Sequence, residues 1–311
     1  MLNERIIAVV GPTASGKTAL AVEIAKRLDG EIISCDSMQV YRGMDIGTAK
    51  VTKEEMQGVP HHLIDVCEPT EDFSCAQYCE LAKKAIEDIW NRGKQVIFCG
   101  GTGLYLDSVI GISTFSEAGI DENFRSEMGK KSPDVLHQML SEIDPESAAT
   151  IHKNNVKRVI RALEIYHLTG KTKSECDRLS KEINKPPYES VRIGLDIRDR
   201  QVLYDKINAR VDIMAQAGLI DEVKRLDSPK FRESTASDGI GYKEILAHLD
   251  GWCTLDEAIE QVKKNSRNYA KRQLTWFRRN KAVNWIFTDD FEGDDKFKLI
   301  VNYAINIINN Y

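Results

Sequence analysis

Short apolar runs of strand length alternate along the chain with stretches whose apolar residues recur every three or four positions. Ile6–Val10 is the first such run; it enters a glycine-containing loop and gives way to a helical pattern through Leu20, Ile24 and Leu28. Glu31–Cys35 predicts a second strand and His62–Val66 a third. Phe73 to Arg92 predicts a long helix, with Ser74 placed to cap its start and Gly93 to stop it. Gln95–Cys99 predicts another strand, ending at Gly100-Gly101-Thr102-Gly103. Strands alternating with helices predict an α/β fold, a parallel sheet with helices on both faces.

The pattern changes from about residue 111. Residues 122–182 show helical periodicity without strands, broken at Pro133, Pro145 and Gly170. Lys185-Pro186-Pro187 ends this stretch, and Val191–Ile197 predicts a return to the sheet. Beyond residue 200 the chain reads as helical up to a last strand at Val283–Phe287. The expected organisation is a core of 1–110 and 191–311 interrupted by a mainly helical insertion at 111–190.

Composition narrows the class. With 29% charged and 42% hydrophobic residues among 311, the chain reads as an ordinary soluble protein. Its net charge of −5 means that nucleic-acid binding has to come from local basic surfaces. Met1 to Arg5 is too short and charged to open a signal peptide, and no apolar run reaches the roughly 18 residues of a membrane helix. The seven cysteines are scattered without a CxxC pair, so reduced thiols in a cytoplasmic protein are expected, and no zinc site.

The strongest chemical signal is Gly11-Pro12-Thr13-Ala14-Ser15-Gly16-Lys17-Thr18, a GxxxxGK[ST] loop set directly between a strand and a helix. Its glycines allow a tight loop whose amides point inward at the positive end of a helix. Lys17 adds a formal charge, and the Thr18 hydroxyl suits Mg²⁺. A phosphate-loop (P-loop) core binding a phosphate or diphosphate is the expectation. Guanine-specifying NKxD signals are absent, and the Gln95–Cys99 strand ends in glycines instead of the acid that a nucleotide-hydrolysing motor would place there. Asp36, at the carboxyl end of the second strand, is the nearest acidic candidate for the pocket.

Several further blocks carry a resemblance. They are Asp36-Ser-Met-Gln-Val-Tyr-Arg-Gly-Met-Asp-Ile-Gly-Thr-Ala-Lys50, Gly58-Val-Pro-His-His-Leu-Ile-Asp65, Gly100-Gly-Thr-Gly-Leu-Tyr105, Lys157-Arg-Val-Ile-Arg-Ala-Leu-Glu164, Asp238-Gly-Ile-Gly-Tyr-Lys-Glu244 and Lys271-Arg-Gln-Leu-Thr-Trp-Phe-Arg278. Together with GPTASGKT, and in this order from residue 6 to about 280, the chain resembles the tRNA dimethylallyltransferase (isopentenyltransferase) family. It resembles the shorter bacterial form, since no cysteine follows Cys253 to build a C-terminal zinc finger. The resemblance implies transfer of a dimethylallyl group from dimethylallyl diphosphate to N6 of the adenosine 3′ of the anticodon, in tRNAs reading codons that begin with U. It implies a monomer needing Mg²⁺, with the loop holding the donor's diphosphate.

Within that reading, Asp36 orients N6 and accepts its proton, Lys17 neutralises the leaving group, and Thr13 hydrogen-bonds the bridging oxygen. Arg200 and Arg210 are candidates to close on the diphosphate. Lys263 to Lys281 carries eight basic residues and no acid; at helical spacing Lys264, Arg267, Lys271 and Arg278 share one face, opposite Ile259, Val262, Tyr269, Ala270 and Phe277. Such a stripe suits a phosphate backbone. Candidate RNA contacts are therefore Lys271, Arg272, Gln273, Leu274, Thr275, Trp276, Phe277 and Arg278; Lys157, Arg158, Val159, Ile160 and Arg161; Gly239, Ile240, Gly241, Tyr242 and Lys243; and Asp36, Ser37, Met38, Gln39, Thr102 and Arg125. The alternatives are a small-molecule or nucleotide kinase on the same core, a non-catalytic RNA-binding protein using nucleotide as a switch, and prenylation of free AMP or ADP.

Overall fold

The structure is a computed structural model describing residues 5–111, 119–183 and 186–311. Its centre is a six-stranded sheet in the order β3-β2-β4-β1-β5-β6, formed by β1 (Arg5–Val10), β2 (Gly30–Ser34), β3 (His61–His62), β4 (Gln95–Gly100), β5 (Glu189–Asp196) and β6 (Val283–Phe287). Every neighbouring pair is parallel. Ile6 to Val10 are all buried, as a central parallel strand covered on both faces requires.

Register decides where chemistry can happen. Val10 lies opposite Gly100 on one side and Gly194 on the other, and Ser34 lies opposite Cys99. The loops leaving β1, β2 and β4 therefore emerge at one carboxyl edge, the position that ligands of open α/β sheets occupy. Behind that edge, Leu20, Ile24 and Ala25 of the helix Lys17–Leu28 pack on Ile7, Val9, Ile32 and Ile97, and the helix Lys296–Asn309 closes the cluster with Ile300, Val301 and Ala304.

Local signals account for most boundaries. Ser74 caps Cys75–Asn91 through a reciprocal pair with Gln77, and Thr254 does the same with Glu257 for the 23-residue helix Leu255–Phe277. Pro133 and Pro145 each stand at the first position of a helix, and Gly170 ends Val156–Thr169 in a left-handed conformation. The third strand departs from expectation. β3 has only two residues, because Leu63 and Asp65 take positive φ angles of 61° and 57° and turn the chain out of the sheet.

The chain divides into two compact units, Met1–Val109 with Tyr188–Tyr311, and Ile110–Pro187. The second contains the helices Glu122–Gly129, Pro133–Ile143, Pro145–Thr150, Val156–Thr169 and Lys173–Ile183 around Leu136, Leu140, Val159 and Leu163. Its buried Asp144 accepts from Ser147 N with one oxygen and from Ser174 N with the other, tying two helix starts together. Among the described residues, no helix is long and apolar enough to cross a membrane.

Candidate active site

A cavity of about 330 Å³ opens at the carboxyl edge of the sheet, lined by Thr13, Lys17 and Thr18 from the phosphate loop, Asp36 to Gln39 after β2, Gly100 at the end of β4 and Gly101 next to it. Arg210, Gly239, Ile240, Lys243, Tyr269, Arg272 and Gln273 complete its wall. Gly11 has a φ of 142°, and a Cβ there would strike the carbonyl of Leu195 in β5; only glycine lets the loop leave the sheet so closely. Gly16, at φ 91°, begins the helix.

Inside the loop, Lys17 Nζ donates to its own loop's Pro12 carbonyl at 2.6 Å. Burial pushes the Lys17 ammonium down to about 8, with Arg210 adding to the effect while Cys99 and Asp36 oppose it. Arg210 Nη1 donates to Thr13 Oγ1 at 3.4 Å, and Nη2 to the Ala49 carbonyl at 3.4 Å. Two cations thus converge where a diphosphate's charge would lie. Because Thr13 Oγ1 accepts from Arg210, its own proton is available to an oxygen in the cavity.

Asp36 sits in a tight turn, its Oδ1 accepting from Met38 N at 2.9 Å and Gln39 N at 3.4 Å. Oδ2 is left for a ligand. Thr102 Oγ1 accepts from Ser37 N at 3.1 Å, so the Thr102 hydroxyl supports the Asp36 turn from the β4 side. Gln39 reaches across to the Thr48 and Ala49 carbonyls. Thr18, the candidate Mg²⁺ ligand, faces the same cavity. Among the described residues no three His, Cys, Asp or Glu side chains cluster as a metal cage. The oxygen donor of Thr18 nonetheless suits Mg²⁺, an ion usually held by one or two protein oxygens, substrate phosphates and water.

Other expected contacts are placed differently. Arg200 does not line this cavity: it makes a two-pronged pair with the fully buried Asp196 at 2.7 and 2.9 Å, joined by Arg278 at 2.8 Å. These two arginines instead line a separate recess of about 300 Å³ with Tyr204 and Lys271. Arg125 and Arg161 both bind the buried Glu164, at 2.8 Å and 2.5 Å. Val159 and Tyr242 are fully buried, and Ile160 packs against the core of its own unit. Leu274 and Phe277 are also buried, so their side chains belong to packing, and the buried Gln273 is turned inward to the cavity wall, while Lys271, Arg272, Thr275 and Arg278 stay exposed. Trp276 is half-buried, donating Nε1 to Asp107 at 2.7 Å. Gly241 caps the helix Tyr242–Leu249, its N–H donating to Glu244.

One residue important to the site had no local signal. The buried carboxylate of Glu222 accepts from the N–H groups of Asp45, Ile46 and Gly47 at 2.8–2.9 Å and from the Tyr242 hydroxyl at 2.7 Å. It anchors the segment whose Thr48 and Ala49 line the cavity.

The family model described as IPP transferase matches residues 39–280. A tRNA dimethylallyltransferase of Thermoanaerobacter sp. (strain X514) is 48% identical over 311 residues, 98% of this chain and 99% of the relative. That of Bacillus subtilis (strain 168) is 52% identical over 287 residues, 91% of this chain and 90% of its own length. Among solved structures, the tRNA isopentenylpyrophosphate transferase of Bacillus halodurans matches with TM-score 0.74 at 49% identity, covering 99% of this chain and 98% of its own. A eukaryotic dimethylallyltransferase acting on tRNA matches with TM-score 0.79 at 30% identity, over 91% of this chain and 73% of that one. Similarity of this depth, along nearly the whole chain and through the loop, turn and helix that build the cavity, makes the protein a member of the IPP transferase family.

Proposed function

We propose that the protein transfers a dimethylallyl group from dimethylallyl diphosphate to N6 of the adenosine 3′ of the anticodon, in tRNAs reading codons that begin with U, releasing diphosphate. The observation that carries this reading is the placing of Asp36 in one cavity with Lys17, Thr13 and Arg210. A proton acceptor thereby shares the cavity with the two cations that would meet a diphosphate. We take it to act as a monomer, and a tRNA substrate would put it in the cytoplasm.

In the reaction, the N6 lone pair forms a bond to C1 of the dimethylallyl group while the C1–O bond breaks. The electron pair leaves with the diphosphate, and the N6 proton passes to Asp36 Oδ2. Lys17, Arg210 and the loop amides meet the growing negative charge, and the Thr13 hydroxyl donates to the bridging oxygen. Such preorganised donors are worth about 10²–10³-fold each. Thr18 would hold Mg²⁺ beside the phosphates, and the ion would supply further charge neutralisation when bound.

The adenosine has to leave its stack to enter the cavity, at a cost of a few kcal/mol. Exposed Lys264, Lys271 and Arg272 on the long helix, and Arg158 on the helical unit, are the cations proposed to hold the RNA backbone. A kinase reading of the same core is disfavoured by the relatives at 48% and 52% identity over nearly the whole chain, which are tRNA dimethylallyltransferases.

The test is incubation of the purified protein with Mg²⁺, radiolabelled dimethylallyl diphosphate and unmodified tRNA, with parallel reactions offering AMP or γ-labelled ATP. Label appears on tRNA and is lost when the target adenosine is replaced. Label on AMP alone, or phosphate transfer from ATP, overturns the proposal.

A further inference from the structure

We propose that Gln273 is a positioning residue for the transfer step: it holds Thr13 in the phosphate loop and acts on the donor side of the site, not on RNA. The inference rests on the prenyl-transfer reading above and assigns this helical position a role different from that of its exposed neighbours.

Gln273 is 4% exposed on a helix whose adjacent Lys271 and Arg272 face solvent. Both ends of its amide are used. Oε1 accepts from Thr13 N at 2.9 Å, and Nε2 donates to the Gly101 carbonyl at 3.2 Å. A backbone N–H only donates and a carbonyl only accepts, so the two partners fix which way the amide points. A Cβ at position 101 would collide with that Nε2, so glycine at this position makes room for the amide. A second tether lies one turn along, where Trp276 Nε1 binds Asp107, itself paired with the buried Arg192 at 3.1 Å.

This arrangement has a chemical consequence. The Thr13 amide is engaged by Gln273, which leaves the Thr13 hydroxyl, already accepting from Arg210, as the group that faces the cavity. The direction of that hydroxyl is set by the backbone that Gln273 grips. Oxygens that must meet a leaving group tolerate little displacement, since a misplacement of about 1 Å can cost roughly 10²-fold. The same helix carries exposed lysines on its outer side, so movement of the helix reaches Thr13 directly.

The test compares Gln273→Met, which keeps volume and removes both hydrogen bonds, with Gln273→Ala as a second variant, after thermal unfolding has shown that each folds. Wild-type transfer to tRNA in the same assay reports separately on the underlying reading. The expected result is a kcat lowered about 10–100-fold, a weaker affinity for inorganic diphosphate by calorimetry, and an unchanged Kd for tRNA. In a Thr13→Ala background the Gln273 substitution should lose most of its effect on kcat, as residues acting through one contact do. A raised tRNA Kd with normal kcat would make Gln273 an RNA contact. Fully additive losses would show that it acts on something other than Thr13, and either outcome overturns the proposal.

Discussion

Lys17 carries its charge at a cost that only a ligand relieves. Loss of hydration in the cavity wall, with Arg210 beside it, lowers its ammonium from an ordinary 10.5 to about 8 against the opposing pull of Cys99 and Asp36. Below pH 8 it is charged with or without ligand. Above pH 8 the free protein has lost the proton and must take it up again when a diphosphate binds. The KM for the prenyl donor should therefore be flat below pH 8 and rise with pH above it, by up to tenfold per unit for one proton. A flat KM from pH 7 to 9.5 would mean that Lys17 stays charged throughout. Asp36 makes the complementary prediction. Asp36→Asn keeps the Oδ1 acceptor of the turn but removes the base, so kcat should fall about 10²–10⁴-fold while tRNA still binds. Near-normal turnover would reduce Asp36 to a loop cap. Both residues were legible in the sequence, one inside a contiguous motif and the other at a strand end. Arg200 and Arg210 were not separable there. Only the fold shows that Asp196, four residues before Arg200, captures it, while Arg210 reaches Thr13 from the opposite wall.

Elements were legible where their signals are local. The phosphate loop, the capped helix after Ser74 and the proline-started helices each depend on a few consecutive residues. β3 was misjudged in length because the chain turns left-handed immediately after it at Leu63, a residue type that does not announce such a conformation, and again at Asp65. The segment 45–50 shows the larger limit. Its path is set by Glu222, whose partners lie 175 to 177 residues away, just as Gln273 binds a loop 260 residues distant. No periodicity carries such a pairing. Glu222→Gln replaces one acceptor oxygen by a donor, facing either a backbone N–H or the Tyr242 hydroxyl. The expected destabilisation is on the order of 1–3 kcal/mol, the cost of leaving a buried polar group unsatisfied. Because Ala49 and Arg210 move with the segment, donor KM should rise with it. Unchanged denaturant midpoint and KM together would show that the four bonds to Glu222 are dispensable.

At the scale of the whole molecule, an acidic protein is asked to bind a polyanion. Net charge of −5 gives no general attraction, so binding has to be won at a few cations that are not already neutralised. The basic run of the long helix proves smaller in effect than its sequence suggests. Lys263 is paired with Asp212 and Glu260, and Arg278 shares the buried Asp196 with Arg200. Of the rest, Lys264 and Lys271 are exposed on one face of the helix, and among the described residues neither has a carboxylate partner. They are better probes of the proposed clamp than Arg278, whose loss would also disturb a buried carboxylate. Lys264→Ala with Lys271→Ala should weaken tRNA binding and reduce the slope of log K against log salt by about 1–2, the release of one or two counterions. The effect should be the same for any tRNA and should leave donor KM unchanged, because phosphate contacts position the RNA without reading its bases. An unaltered slope would return this helix face to ordinary solvated surface and shift the burden of RNA binding to cations elsewhere, Arg158 of the helical unit first among them.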